Sequence, residues 1–560
     1  MEEQKRLFIA IILSIVIIVG WNTFFVSDKE VTAPPGTTQD MPAGSTVENI
    51  SPTVPSSGGL LKGDTSQDIS ATEHSIQRKN ARLLSVETPL YNISISEYGA
   101  AVTSFTLKDY REAVEADAPF KQLIPPGLDV GTFSVDLEGK SVPGLETAVF
   151  TARTDTLQNR LKNGEKVIVF SWDSPHGITV EKVFTFSAST YLVGMDVVIK
   201  NTSSMPLKDA LKISLPHRIN TDKSSTARFG ANGPVALINT KLEEIDPDDI
   251  EEKDTFTGTI EWIGNSGRYF VSALVPATPS EAKFKLALNG DLITSSYIES
   301  IDRIDPGQQA ALSFDLYMGP KSLKILSAYD NNLKKSINFG WFDILAKPCL
   351  IGMNLIHDII PNYGIAIILL TLLIKLIFWP LGSKSYKSMS DMKRLQPLMM
   401  ELREKYKDDK QRMNQEVMGL YKTYKVNPMS GCLPMVVQMP IFFALYRMLY
   451  QAIELRHAPF MGWIADLSAP DRLFSFDFAI PFMQAPYGIP VLTIIMGASM
   501  FLQQKMSPST GDPTQAKMMM LMPIFMTFIF INFPAGLVLY WLVNNLLSIG
   551  QQYYIQKKFA

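Results

Sequence analysis

The stretch that decides the fold occupies residues 363–381 and reads YGIAIILLTLLIKLIFWPL. It is long and apolar enough to cross the hydrocarbon of a bilayer as a helix. Its one charged residue, Lys375, lies twelve residues past Tyr363, which is ~18 Å into the membrane at the helical rise. An ammonium is costly in hydrocarbon and normally faces a partner or water. The stretch therefore predicts a membrane protein and makes Lys375 a candidate functional residue.

The sequence alone leaves two interpretations of Lys375. In the first, the side chain faces a water-filled cavity, with Thr371 one turn earlier on the same helix face. In the second, its long stem snorkels past Trp379 to the inner membrane interface. The first interpretation gives the cation a function, whereas the second gives it only an anchoring position.

Further apolar stretches indicate more spans. Including the first, five lie in the last part of the chain, over residues 363–381, 434–452, 488–503, 518–533 and 535–552. The last two are joined by the short turn Phe533-Pro534-Ala535-Gly536. Several are short for a bilayer about 30 Å thick, which a locally thinned membrane would accommodate.

A sixth apolar stretch, residues 7–26, follows Lys5 and Arg6. A short basic flank before an apolar run is also typical of a cleavable signal peptide. Trp21 and Phe24, however, stand where a cleavage site requires small residues. We therefore predict that residues 1–26 form an uncleaved signal-anchor helix, which brings the count to six spans.

Charge in the loops predicts the orientation. The loop 382–430 carries eleven Lys and Arg, whereas the loop 453–487 carries two, Arg456 and Arg472. The positive-inside rule places the first of these loops in the cytoplasm. Both termini, including a short tail at 556–560, are then cytoplasmic, and the region between the first two spans is periplasmic.

The basic loop has a pattern of its own. Apolar residues recur at spacings of three and four in two segments, with Asp408 and Asp409 between them. This pattern predicts a cytoplasmic helical hairpin over residues 384–425. Its basic surface suits contact with nascent chains, ribosomes or lipid headgroups, and the alternative is a solvated hairpin of structural value only.

The periplasmic region divides in two. Residues 27–79 are rich in Pro, Gly, Ser and Thr and predict a flexible linker. Residues 80–330 contain short period-two runs such as Ile178–Phe186, which predict a large antiparallel β-sandwich. Its two histidines, His176 and His217, form no evident catalytic set with a carboxylate pair, so a folding or docking domain is favoured over a carbohydrate enzyme.

Residues 337–360 predict an amphipathic helix lying in the membrane interface. The alternative is a helix packed under the sandwich, and Pro348 is expected to kink or restart the helix. The apolar stripe consists of Trp341, Ile344, Leu345, Pro348, Ile351, Leu355 and Ile359.

Composition excludes several classes of protein. The 560 residues have a mean hydropathy of only +0.08, because the apolar spans are balanced by a polar middle. A formal net charge of −3 argues against a nucleic-acid scaffold. Two cysteines, Cys349 and Cys432, exclude a disulfide framework or a Cys-based metal site, and they are predicted on opposite membrane faces. With five scattered histidines and no Walker-type glycine loop, we expect no metal and no cofactor.

Polar residues recur inside the spans, and methionine is concentrated there. Of 26 Met, 21 follow residue 350, which suits a surface that accepts many apolar shapes but also an ordinary membrane core. Individually the polar residues suit interhelical hydrogen bonds, and together with Thr371 and Lys375 they are candidates for one hydrophilic groove. Arg447 either faces that groove or snorkels outward toward Glu454. The polar set is Gln438, Arg447, Ser499, Thr527, Asn544, Asn545 and Ser548.

The helical region resembles the YidC/Oxa/Alb family of membrane-protein insertases. The resemblance covers residues 340–555 closely, and it covers the anchor, linker and sandwich by layout, which is that of Gram-negative members with a large periplasmic domain. It rests on Asn427-Pro428 with Gly431-Cys432, Pro434–Leu445 (PMVVQMPIFFAL), Gln503–Pro508 (QQKMSP), Met522-Pro523 with Thr527, and Phe533–Leu537 (FPAGL).

The resemblance implies a five-helix insertase core over residues 361–555, with a positively charged groove open to cytoplasm and lipid. Lys375 falls where the family carries its groove cation, often Arg, so the charge is retained but bidentate pairing is lost. The groove residues implied are Lys375, Thr371, Gln438 and Trp541. Substrate contacts, which we call the slide, map onto Met439, Pro440, Phe442, Met526, Ile529 and Phe530.

The implied function is that of a non-enzymatic insertase and chaperone, which inserts, folds and helps assemble inner-membrane proteins, alone or with the Sec translocon. The implied partners are nascent membrane proteins, the lipid bilayer, Sec components and, through the hairpin, the ribosome, with no nucleic-acid binding of its own. Two alternatives stay open: a polytopic transporter or channel, for which the chain lacks repeated halves with interrupted helices, and a membrane-tethered carbohydrate-binding protein.

Overall fold

The structure is a computed structural model that describes residues 78, 80–154, 156–219, 233–407, 409–424, 426, 433–506 and 513–559. All of them belong to one compact unit, Ser66–Ala560. The predicted anchor at 1–26, the linker at 27–79 apart from Arg78, and Cys432 lie outside the described residues.

The first part of the described chain is a β-sandwich. Its strands are β1 Leu83–Glu87, β2 Tyr91–Ser96, β3 Ala101–Arg111, β4 Phe120–Gln122, β5 Ser134–Leu137, β6 Thr151–Ala152, β7 Gln158–Arg160, β8 Glu165–Asp173, β9 Ile178–Ser187, β10 Leu192–Asn201, β11 Ala210–Arg218, β12 Gly233–Ile238, β13 Lys241–Glu244, β14 Thr255–Ser266, β15 Phe270–Pro276, β16 Ser280–Asn289, β17 Leu292–Ser300 and β18 Gln309–Pro320. Five strands form one sheet in the order β4-β3-β2-β1-β7, and the larger sheet runs β5-β11-β17-β16-β14-β15-β18-β10-β9-β8-β6. In the larger sheet β12 also pairs with β14, and β13 pairs with β12.

Period-two patterning explains why these residues form strands. Along β10, every second side chain is buried, from Val193 through Met195 and onward, so one face of the strand packs into the core. The prediction of a large β-sandwich is confirmed. Its ladders are antiparallel except that β1 pairs with β7 in parallel, a long-range pairing that no local pattern reveals.

The second part of the described chain is helical. A single turn, Leu323–Leu326, leads out of the sandwich, and a two-stranded ribbon of β19 (Leu473–Phe476) and β20 (Tyr487–Ile489) lies between the fifth and sixth helices. The helices are α1 Asp343–Ile359, α2 Tyr363–Ile377, α3 Trp379–Lys405, α4 Lys410–Thr423, α5 Leu433–Gln451, α6 Val491–Met506, α7 Pro513–Phe530 and α8 Ala535–Phe559.

The amphipathic helix α1 turns its predicted apolar stripe away from the protein. Trp341 just before it is 93% exposed, and Ile344 and Ile359 are also largely exposed. The opposite side buries Leu350 and Met353 against the helical core. An outward apolar stripe is what an interfacial helix presents to lipid. The helix continues through Pro348, so the expected restart there does not occur.

The span predicted at 363–381 is interrupted. Helix α2 ends at Ile377, α3 begins at Trp379, and the two meet at 67°. Within the described part of the chain, no helix is by itself both long and apolar enough to cross a bilayer, whereas α2 and α3 satisfy the two criteria when taken together. Helix α3 then packs on α4, where the Tyr421 hydroxyl donates to the Met399 sulfur.

Candidate functional site

Lys375 lies between α2 and α8 and is only 6% exposed. Its ammonium Nζ donates to Oγ of Ser548 at 2.7 Å and to Oδ1 of Asn544 at 3.2 Å. Within the described residues, no carboxylate pairs with this cation and its third proton has no acceptor. A buried ammonium is thus held by two neutral groups, an arrangement we call the clasp.

The clasp follows from helical spacing on α8. Asn544 and Ser548 are four residues apart, so both side chains lie on the same face, one turn from each other. The Ser548 hydroxyl donates to the backbone oxygen of Asn544 at 2.7 Å, which leaves its lone pairs free to accept. The Tyr386 hydroxyl of α3 also hydrogen-bonds Ser548. The clasp therefore joins three helices through one serine.

The structure gives Lys375 protein partners. The side chain does not snorkel toward the interface beside Trp379, since it points across to α8. It is buried, and its ammonium bonds Asn544 and Ser548. Thr371 is also buried, but its hydroxyl donates to Ile367 O at 2.6 Å in its own helix. It therefore supports the site without contacting the cation.

An aromatic cluster lies one turn along α8 from the clasp. Trp541 is packed edge-to-face between Phe442 of α5 and Phe530 of α7, with ring centroids 4.6 Å and 4.7 Å away. Such pairs add stabilisation beyond the area that they bury. The structure thus brings together one predicted groove residue and one predicted slide residue from each of two helices.

The other slide residues lie at the surface around this cluster. Met439 is 37% exposed and Ile529 is 41% exposed, on α5 and α7 respectively. Pro440 is exposed and Met526 is half-buried. Gln438 is half-buried on α5, one turn before Phe442. The predicted slide is therefore an apolar rim with its aromatic members anchored in the core.

Sequence reasoning did not assign Asn544, Ser548 or Tyr386 a specific role. The signal available was the i, i+4 spacing of two polar residues in an apolar helix, but the rotation that aims them at Lys375 is not a local property. Asn545, next to the clasp, points elsewhere and donates to Ser499 Oγ of α6 at 3.1 Å.

A second polar cluster surrounds Arg472 in the loop between α5 and α6. Arg472 donates to Ile531 O at 2.8 Å, to Pro486 O and to the side chain of Asn532 in the α7–α8 turn. Asp471 accepts from the backbone amide of Leu492 in the first turn of α6. These bonds join the loop after α5 to the α7–α8 turn and to the start of α6.

No part of this site resembles a metal centre. Across the residues that the structure describes, no group of three or more His, Cys, Asp or Glu side chains is arranged to hold a metal ion. The chemistry available is that of one cation, neutral hydrogen-bonding groups and a broad apolar surface.

The two parts of the chain, a large sandwich and a helical region with a buried cation beside an apolar aromatic surface, each match a family model. The family model described as "60Kd inner membrane protein" matches residues 355–560, and the one described as "YidC periplasmic domain" matches residues 83–351. The chain belongs to the YidC family of membrane protein insertases, which are inner-membrane proteins and not enzymes.

Individual relatives agree over the whole length. A membrane protein insertase YidC from Pelobacter propionicus is 40% identical over 99% of each chain. One from Syntrophus aciditrophicus is 38% identical, over 99% of this chain and all of the relative. A crystal structure of an active YidC insertase matches with a TM-score of 0.37 and 18% identity, over 87% of this chain and 98% of that one.

Proposed function

We propose that the chain inserts, folds and helps assemble inner-membrane proteins by offering the Lys375 cation to the polar flank of an incoming segment. The observation that carries this proposal is the clasp, in which a buried ammonium is held by neutral groups alone. A carboxylate is a stronger acceptor for an ammonium than an amide or a hydroxyl. An acidic flank that reaches Lys375 would therefore replace Asn544 and Ser548.

The apolar part of the segment would follow the slide. Met439 and Ile529 are partly exposed on α5 and α7, beside the aromatic cluster. Methionine and aromatic side chains fit segments of many shapes. Transfer of about 20 apolar residues into lipid, together with the membrane potential acting on acidic flanks, supplies the driving force without a nucleotide.

The proposal includes six spans with both termini in the cytoplasm. Loop charge supports it, with eleven Lys and Arg in 382–430 against two in 453–487. The bend between α2 and α3 also lies where the first core span would reach the cytoplasm. We extend the proposal to cooperation with the Sec translocon and to ribosome contact through the hairpin α3–α4, whose basic surface suits an RNA-rich partner.

Insertion into liposomes tests the charge role. The full chain is reconstituted with a short single-span substrate that has an acidic flank, and protection of the substrate from protease is measured. Lys375→Glu should reduce insertion about tenfold or more, since it places like charges together, while Lys375→Arg retains most activity.

A matched control makes the same charge change far from the groove. Lys285→Glu alters a half-exposed sandwich lysine that lies 3.6 Å from Glu138, and it should leave insertion unchanged. If Lys375→Glu inserts the substrate as fast as Lys285→Glu does, the cation has no part in insertion.

A further inference from the structure

A cavity of about 370 Å³ lies where the sandwich meets the C-terminal end of α5. Its lining includes three basic side chains, Lys121, Arg268 and Arg456, together with polar Asn265 and Ser272. No Asp or Glu is among the described residues that line it. This volume is within the range of small-molecule binding sites, and the charge of the wall is of one sign.

Arg268 is fixed in direction by neutral groups. Its Nε donates to the backbone oxygen of Tyr450 at 2.7 Å. Its guanidinium lies over the Tyr450 ring at 3.8 Å from the centroid and over the Tyr269 ring at 4.6 Å. Within the described residues, it forms no ion pair. Its charge is therefore positioned but not neutralised.

Arg456, five residues beyond the end of α5, is held in the same way. Its Nη2 donates to the backbone oxygens of Arg111 and Glu112. Its guanidinium lies 5.5 Å from the ring centroid of Phe270. Partial burial of this cation is unfavourable without a counter-charge, yet no carboxylate pairs with it among the described residues.

The carboxylates nearest to this cavity have partners of their own. Glu112 is bound by Lys121 at 2.9 Å, which also accounts for the third basic side chain of the wall. Asp466 accepts from the amide of His457 and from the amide and hydroxyl of Ser468. Among the described residues, neither Arg268 nor Arg456 forms an ion pair, so two guanidiniums on one wall are able to bind a phosphate or another anion.

The place of the cavity indicates which anion fits. In the proposed topology α5 spans the membrane, Arg456 lies five residues beyond its end and Arg268 contacts its last turn, which would place the cavity near the level of the periplasmic headgroups. Apolar Pro125, Pro216 and Val271 complete the wall, which suits an organic group beside the phosphate. We propose that this cavity binds the phosphodiester headgroup of an anionic phospholipid between the sandwich and α5.

Native mass spectrometry of the full chain in detergent tests this site. The chain is titrated with phosphatidylglycerol and, for comparison, with phosphatidylcholine of the same acyl chains. Arg268→Gln and Arg456→Gln should each weaken phosphatidylglycerol binding about tenfold or more. Arg303→Gln is the matched control, since this exposed arginine is bound to Asp305 on the sandwich surface and should change nothing.

A third variant guards against unfolding of the arginine variants. Ser272→Phe fills the cavity and leaves both guanidiniums in place, so it should weaken phosphatidylglycerol binding to a similar extent. Inorganic phosphate is added as a competitor in a parallel titration. Equal affinity for inorganic phosphate would overturn the assignment to lipid, and unchanged phosphatidylglycerol affinity in Ser272→Phe and both Gln variants would overturn the site itself.

Discussion

The ammonium of Lys375 and the hydroxyl of Ser548 lie 2.7 Å apart across the contact between α2 and α8. Neither group belongs to an ion pair within the described residues, although one of them is a buried charge. Ser548 is also bonded to Asn544 and to Tyr386. The Lys375 ammonium is thus bound within a network of neutral hydrogen-bonding groups.

Removing the Ser548 hydroxyl should destabilise the protein. Ser548→Ala takes an acceptor from a buried ammonium and should lower the free energy of unfolding in detergent by about 1–3 kcal/mol. Adding Lys375→Met should recover part of the loss, because the charge is gone. Thr371→Val serves as the control, since that hydroxyl only bonds its own helix. Additive effects of Ser548→Ala and Lys375→Met would contradict the clasp.

The slide should be visible by crosslinking. A photoreactive amino acid at Met439 or Ile529, which are 37% and 41% exposed, should crosslink a nascent segment during insertion. The same probe at Leu445, buried on the same helix as Met439, should give at most a trace. Gel analysis of the radiolabelled substrate measures both. Comparable yields at Leu445 and Met439 would show that the segment takes another path.

Close contact of α6 and α7 should depend on Gly497. A Cβ at this position would collide with the Thr527 side chain, so in Gly497→Ala either that side chain or the two helices must shift. We expect a loss of about 1–3 kcal/mol in the free energy of unfolding. Gly550→Ala on α8 meets nothing within 4 Å and should be neutral or slightly stabilising. Equal effects of the two substitutions would refute the contact.

Lys182 in the sandwich should make stability depend on pH. Its ammonium is fully buried and donates to Ala100 O and Phe133 O, and burial lowers its pKa from 10.5 to about 7. Between these values the unfolded chain binds a proton that the folded chain does not. Stability should therefore rise with pH from 7 toward 10.5, by up to about 1.4 kcal/mol per unit.

Unfolding at pH 7 and pH 9 measures this slope. Lys182→Met should flatten it, whereas Lys283→Met, at an exposed position on β16, should keep the slope of the unmodified chain. If Lys182→Met and the unmodified chain gain the same stability between the two pH values, Lys182 is not the source of the pH dependence.

Local patterning predicted much of the fold. The period-two run at 178–186 lies within β9, and the apolar stretch at 434–452 coincides with α5 to within one residue at each end. The predicted and observed elements agree because the spacing of buried side chains along one strand or helix can be read from the local sequence. The parallel pairing of β1 with β7 joins segments more than 70 residues apart, and no pattern in either strand predicts it.

The candidate site was predicted only in part. Lys375 stands out because a charge in an apolar run is costly wherever the helix points. Its partners were not assigned, since which face of α8 meets α2 is settled by packing of the whole helical region. The family resemblance named Trp541 and the pair Phe442 and Phe530 in two separate sets, and their contact depends on how α5, α7 and α8 pack.

The neutrality of the clasp has a consequence for which clients engage the groove. A flank with only hydroxyls or amides would form hydrogen bonds with Lys375 that are no stronger than those from Asn544 and Ser548. Exchanging these partners would therefore gain little free energy. A flank with Asp or Glu gains a charge-assisted bond and leaves Asn544 and Ser548 still satisfied within α8 or by water. In the proposed mechanism, the resting hydrogen bonds of Lys375 would thus favour clients whose translocated flank is acidic.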